Sequence, residues 1–168
     1  MTATPTQTAD APHKRSAAAT LPRTVLVIGA TGMIGRPVTR GLLDAGFRVR
    51  AMVRDLKRAE ALLGSACQLV RGDLRMPRTI DRALQGVDAV YLSLANPMVS
   101  RRPVWDPDYN GTLAVIDAAK QAGKPHILRL SSLGVPEAAD DWWVPRAKAE
   151  ADQALQESGL PYTVFRLN

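Results

Sequence analysis

From Thr24 onward, short apolar runs alternate with segments whose apolar residues recur at helical spacing. The run Thr24–Ile28 (TVLVI) has no polar alternation, which suits a strand covered on both faces. Ile34–Ala45 carries apolar residues at helical spacing, and Gly46 supplies a stop. Phe47–Val53 predicts a second strand, Leu56–Leu63 a short helix ended by Gly64, and Gln68–Val70 a short strand. Arg78–Leu84 predicts a helix, with Pro77 at its first turn and Gly86 beyond its end. A strand over Ala89–Leu94 and a helix over Asn110–Ala122 follow, the helix ended by Gly123. His126–Leu130 predicts a strand, Pro145–Glu157 a helix stopped by Ser158-Gly159, and Tyr162–Leu167 a last strand. Alternation in units this short predicts βαβ crossovers and a doubly wound parallel α/β sheet in a single domain. Residues 1–22 are rich in Thr, Ala and Pro and lack periodicity, so a disordered tail is expected ahead of a domain over 23–168.

Composition narrows the function classes. The 168 residues suit one domain, and 46% hydrophobic residues suffice for a core. No apolar run is long enough to cross a bilayer. One cysteine, Cys67, excludes an intrachain disulfide, and with two histidines it leaves no metal site to expect. These features point to a reducing, cytoplasmic setting. The net charge of +6 comes from scattered arginines with no basic run longer than His13–Arg15, which argues against a nucleic-acid partner.

The segment Gly29-Ala-Thr-Gly-Met-Ile-Gly35 lies between the first strand and the first helix. That context gives a glycine pattern its meaning. Gly29 can turn sharply off the strand, Gly32 lets a pyrophosphate approach the backbone, and Gly35 lets the helix lie close on the sheet. The helix start, with Thr31, Met33 and Ile34 beside the glycines, then offers free N–H groups and a positive dipole end to an anion. The second strand ends "MVRD". An NAD site usually has an acid here for the ribose hydroxyls, whereas an arginine nearby receives the 2′-phosphate of NADP. Arg54, with Lys57 and Arg58 close behind, favours NADP over NAD. Asp55 could take a ribose hydroxyl, but its place favours a cap on the helix that starts at Leu56.

The spacing Gly-x-x-Gly-x-x-Gly resembles the fingerprint of extended and atypical short-chain dehydrogenase/reductases. Seven further segments resemble the NmrA-like, or SDR-a5-like, branch in order and spacing: "VRAMVRD", "LVRGDL", "GVDAVYLSL", "NGTLAVIDAAKQAG", "ILRLSSLG", "RAKAEAD" and "SGLPYTVFRLN". The resemblance implies a Rossmann-like NAD(P)-binding domain. It also implies an adenine contact at Asp73 beside Leu74, and cofactor running past Ser93 and Leu94. The superfamily's catalytic set is Ser, Tyr and Lys, with Tyr four residues before Lys. Ser132 matches the serine and Lys148 the lysine, which also holds the nicotinamide ribose. The Tyr position is Val144. Trp142 and Trp143 cannot replace it, because indole is no acid or base at neutral pH; they can wall a substrate pocket or simply pack.

Relatives continue beyond the strand matched by "YTVFRLN" into segments that shape the substrate pocket, so a truncated or minimal cofactor domain is expected. The resemblance therefore implies an NADP(H)-binding oxidoreductase passing hydride to a small quinone-like or carbonyl acceptor. Its alternative is a non-catalytic NADP-sensing regulator or assembly factor that works through a protein partner.

Overall fold

The computed structural model describes residues 24–97, 99, 101–132 and 143–167. The expected tail and Trp142 lie outside them. Eleven elements alternate: β1 (Thr24–Ile28), α1 (Gly35–Asp44), β2 (Arg48–Val53), α2 (Leu56–Leu63), β3 (Gln68–Arg71), α3 (Pro77–Leu84), β4 (Ala89–Leu92), α4 (Tyr109–Gln121), β5 (His126–Ser132), α5 (Trp143–Gln156) and β6 (Tyr162–Leu167). The six strands form one parallel sheet in the order β3-β2-β1-β4-β5-β6. The chain winds outward from β1 to β3, then returns to lay β4 on the other side of β1. Strand order therefore reverses between β1 and β4, the place where open α/β sheets leave a crevice at their carboxyl ends.

The all-apolar strands read as doubly covered because they are. In β1, Leu26 and Ile28 enter one core with residues of α3, α4 and α5, while Val25 and Val27 enter a second core with residues of α1 and α2. Cover on the second face is incomplete. Ala89, Tyr91, Leu128 and Leu130 line an apolar groove of about 510 Å³ with Val38 and Leu42 of α1 and with Phe165 and Leu167 of β6. Phe165 and Leu167 remain 45% and 49% exposed.

Three boundaries differ from expectation by two residues, and the others by one at most. β4 ends at Leu92, so Ser93 and Leu94 sit in the connection beyond it. β5 runs on through Ser132, because Ser131 and Ser132 still pair with Arg166 and Leu167 of β6. α5 begins at Trp143, two residues before Pro145. A proline in a first helical turn costs no hydrogen bond, since those N–H groups have no intrahelical acceptor.

A buried ionic cluster joins β5 to α4 and α5. Arg129 points from the middle of β5 with its side chain fully buried. Its Nε donates to Asp152 of α5 at 2.8 Å, Nη2 to Asp108 at 3.1 Å and Nη1 to the Thr112 hydroxyl of α4 at 3.1 Å. Ser131 donates to the other oxygen of Asp152 at 2.8 Å, and the Lys148 ammonium donates to the other oxygen of Asp108 at 2.9 Å. Arg129 and Lys148 thus meet two buried carboxylates, and Arg166 of β6 approaches Asp152 at 3.6 Å. Arg129→Ala removes the fully buried cation shared by both carboxylates, leaving Asp108 to Lys148 and Asp152 to Ser131 and Arg166, and should cost about 3–5 kcal/mol in urea unfolding. Replacing Arg129, Asp108, Asp152 and Lys148 together by apolar residues of similar volume should cost much less.

Candidate functional site

The crevice at the β1/β4 switch opens into a cleft of about 600 Å³. Each of the first four strands contributes the residues just past its carboxyl end: Gly29, Thr31 and Gly32 after β1, Arg54 after β2, Asp73, Leu74 and Arg75 after β3, and Ser93 through Pro97 after β4. Pro103, Trp105 and Pro107 of the β4–α4 connection close one side.

The three glycines of the first turn have different reasons to be there. Gly29 has φ +93°, and a Cβ there would collide with the Ser93 carbonyl oxygen of the neighbouring strand end. A Cβ at Gly35 would collide with the Gly29 carbonyl oxygen. Both are demanded by the close approach of α1, β1 and β4. Gly32 is different: a Cβ there would stand 3.2 Å from the Gly29 carbonyl oxygen, tight but short of collision. Gly32 is exposed on the cleft, so its missing side chain leaves bare backbone facing that space. Behind it, no side chain caps the start of α1 and its first turn holds no acid. A helix start of that kind suits an anion.

Of the residues expected to hold a cofactor, Gly29, Thr31, Gly32, Arg54, Asp73, Leu74, Ser93 and Leu94 line this one cleft. Met33 is not among the lining residues and is 82% exposed. The Ile34 side chain turns the other way, into the apolar groove. Gly35 is buried beneath the turn, and Lys57 stands exposed on α2. Asp55 caps α2, accepting from the Arg58 amide at 3.0 Å. Asp73 accepts from the Arg75 amide through Oδ1 at 2.9 Å. Ser132 and Lys148 do not line the cleft. Lys148 reaches it only through intermediaries: its ammonium is on Asp108, whose amide donates to Asn96 Oδ1 at 3.1 Å, and Asn96 lines the cleft. The Asn96 Nδ2 is buried without an acceptor. Trp143 donates to the Val99 carbonyl at 2.8 Å, so it braces the β4–α4 connection. Asn110 likewise accepts from the Asp106 amide, a backbone brace.

Sequence reasoning passed over Arg75, Asn96, Trp105, Asp108, Arg129 and Asp152. Arg129 carried a readable signal, a charge inside the apolar strand "ILRL". The others lie in loops or on a helix, where sequence spacing does not reveal spatial neighbours.

The glycine geometry can be checked without any ligand. Gly35→Ala should lose about 3 kcal/mol or more of stability, because backbone rather than a flexible side chain stands in the way. Gly32→Ala should lose about 1 kcal/mol or less. Thermal or urea unfolding of the two variants separates them.

These features, a cleft at the strand switch with an open glycine turn, an uncapped helix start and Arg54, fit a dinucleotide. Comparisons with known proteins agree. The NAD(P)H-binding family matches residues 29–168. The chain is 36% identical over 145 residues to the photosystem II assembly factor Ycf39 of Cyanophora paradoxa, covering 85% of this chain and 44% of that protein. It is 39% identical over 142 residues to the NAD(P)H azoreductase of Xenophilus azovorans, covering 83% and 46%. The NADPH complex of quinone oxidoreductase QOR2 from Escherichia coli superposes with a TM-score of 0.70 at 26% identity, covering 84% of this chain and 48% of that one. The chain therefore spans about half the length of the relatives it matches. Among the described residues no helix is long and apolar enough to cross a membrane. On the family match and these identities, the chain belongs to the NAD(P)H-binding family.

Proposed function

We propose that this chain is the cofactor-binding portion of an NmrA-like, atypical short-chain reductase that prefers NADP(H), acts in the cytoplasm and reduces a small acceptor. The observation that carries this reading is one cleft uniting the bare backbone of Gly32, the uncapped start of α1 and the guanidinium-bearing Arg54. Gly32 and the helix start would receive the pyrophosphate. Arg54 would receive the 2′-phosphate through a planar, charge-assisted fork. Asp73 would receive the adenine amino group, and Leu74, Ser93 and Leu94 would border the cofactor. Hydride chemistry is what the nicotinamide supplies when bound; the protein's part is to hold and orient it.

The acceptor class follows from what position 144 lacks. Val144 occupies the place of the superfamily's proton-donating Tyr. Carbonyl reduction needs a positioned acid, worth about 10²–10⁴-fold. Quinone-like acceptors can take their proton from water, so they suit this chain better than carbonyls. In this reading Ser132 and Lys148 serve the nicotinamide end.

A second reading, an NADP-responsive regulator or assembly factor without turnover, draws on two observations. Val144 cannot move a proton, and Lys148 is bound to Asp108 rather than facing the cleft. The likeness to Ycf39, an assembly factor, points the same way.

Calorimetric titration should show tighter binding of NADPH than of NADH. Arg54→Asp should cost NADPH about 1.5–3 kcal/mol, the size of a charge-assisted hydrogen bond lost. Equal wild-type affinities would overturn the NADP preference.

Turnover separates the two readings. Following NADPH oxidation against a panel of quinones and carbonyls, the reductase reading expects quinones to be reduced well ahead of carbonyls. Tight NADPH binding with no turnover of any acceptor, in this chain and in a longer natural one, would favour the regulator.

A further inference from the structure

The connection between β4 and α4 has a feature that the cofactor reading does not use. β4 ends at Leu92 and α4 begins at Tyr109, and between them Pro103, Trp105 and Pro107 line one side of the cleft. The Arg75 guanidinium, in the turn after β3, lies 4.8 Å from the centroid of the Trp105 ring. In the sheet, β3 is separated from β4 by β2 and β1. Three strand spacings amount to about 14 Å. The indole is thus carried across the carboxyl ends of the strands to the side where Arg54 and Asp73 stand.

The backbone that carries it is fixed at several points that do not involve the ring. Asp106, the next residue, is fully buried; its Oδ1 accepts from the Tyr109 amide at 2.7 Å and its Oδ2 from Arg102 Nε at 2.9 Å. Arg102 also reaches Glu150 of α5 at 2.6 Å. Pro103 and Pro107 fix φ on either side. The ring itself belongs to neither apolar core and is only half-buried. A large apolar side chain thus stands on a braced segment, lines the cleft and carries a guanidinium against its ring.

We propose that Trp105 is the stacking platform for the adenine base of the dinucleotide, held in place by Arg75. This rests on the cofactor reading above and adds to it a residue that reads the base. The magnitudes favour it. A cation–π pair at an exposed site contributes about 0.5–1 kcal/mol, whereas a nucleobase stacked on an aromatic side chain contributes about 1–3 kcal/mol. The guanidinium alone does not account for an indole in that position; a base does. Arg75 links the two halves of the subsite, since its amide also fixes Asp73 Oδ1 while its side chain steadies the ring.

The test uses three probes by calorimetry or competition: NADPH, 2′-phospho-ADP-ribose, which keeps the adenine and lacks nicotinamide, and reduced nicotinamide mononucleotide, which lacks adenine. Trp105→Ala should weaken NADPH and 2′-phospho-ADP-ribose in parallel by about tenfold or more. It should leave the mononucleotide unchanged. Trp105→Phe, which keeps an aromatic face, should lose less than about threefold, and Arg75→Ala should lose a few-fold on the two adenine probes alone. Unchanged affinities in Trp105→Ala would overturn the proposal, as would equal loss on all three probes, which marks a general disturbance of the cleft. A rise in quinone KM with NADPH affinity intact would place the ring at the acceptor instead and overturn it too. Failure of wild-type protein to bind NADPH at all would instead overturn the cofactor reading on which the proposal stands.

Discussion

The left-handed backbone at Gly29 is the constraint on which the rest of the molecule depends. β1 is hydrogen-bonded on both sides, to β2 and to β4, so the chain cannot leave it sideways. It leaves at φ +93°, directly against the Ser93 carbonyl, while the Ser93 amide donates back to Ile28 at 3.0 Å. Only a residue without a Cβ passes through that gap. Because the turn is so tight, α1 starts almost on top of β1, which in turn requires Gly35. The β4 chain departs in the opposite direction, and the space between the two departures is the cleft. Fold and binding site therefore arise from one backbone conformation.

Much of this was legible in the chain. The order of strands and helices, the three glycines and the cap at Asp55 follow from local chemistry, which spacing reports faithfully. The helix at α3 is a fair example: Pro77 opens it, Ile80, Ala83 and Leu84 bury one face, and Gly86 follows its end. What spacing does not report is direction. Ile34 lies within the glycine motif yet faces the apolar groove, since the first turn of α1 has already rotated its side chain away from the cleft. Lys57 follows Arg54 in sequence but sits on α2, past a cap that has turned the chain outward. Asp108, Asp152 and Trp105 acquire their meaning only from neighbours 20 to 40 residues away, beyond the reach of any local pattern.

The site divides along the switch in the sheet. The β1–β3 side supplies backbone and arginines, a surface suited to phosphates. The β4–β5 side supplies Ser93, Asn96 and the approach to Lys148, which is tied into a network of carboxylates rather than presented to the cleft. The two sides are coupled by the β4–α4 strap, fixed to α5 through Arg102–Glu150 and through the Trp143–Val99 hydrogen bond. A change in α5 would thus be felt at the mouth of the cleft without passing through the sheet.

β5 carries a further consequence of its buried cluster. Successive residues of a strand face opposite sides, so Arg129 and Ser131 meet α4 and α5 while Leu128 and Leu130 meet the apolar groove. Slippage of β5 by one position would exchange the two sets. A guanidinium would then lie on hydrocarbon, and two carboxylates would face leucine. Neighbouring apolar strands such as β4 contain no such marker and tolerate a shift with smaller penalty. The cluster thus acts as an alignment key: it adds little net free energy compared with an apolar equivalent, yet it admits one pairing of β5 against β4 and β6 and rejects its neighbours.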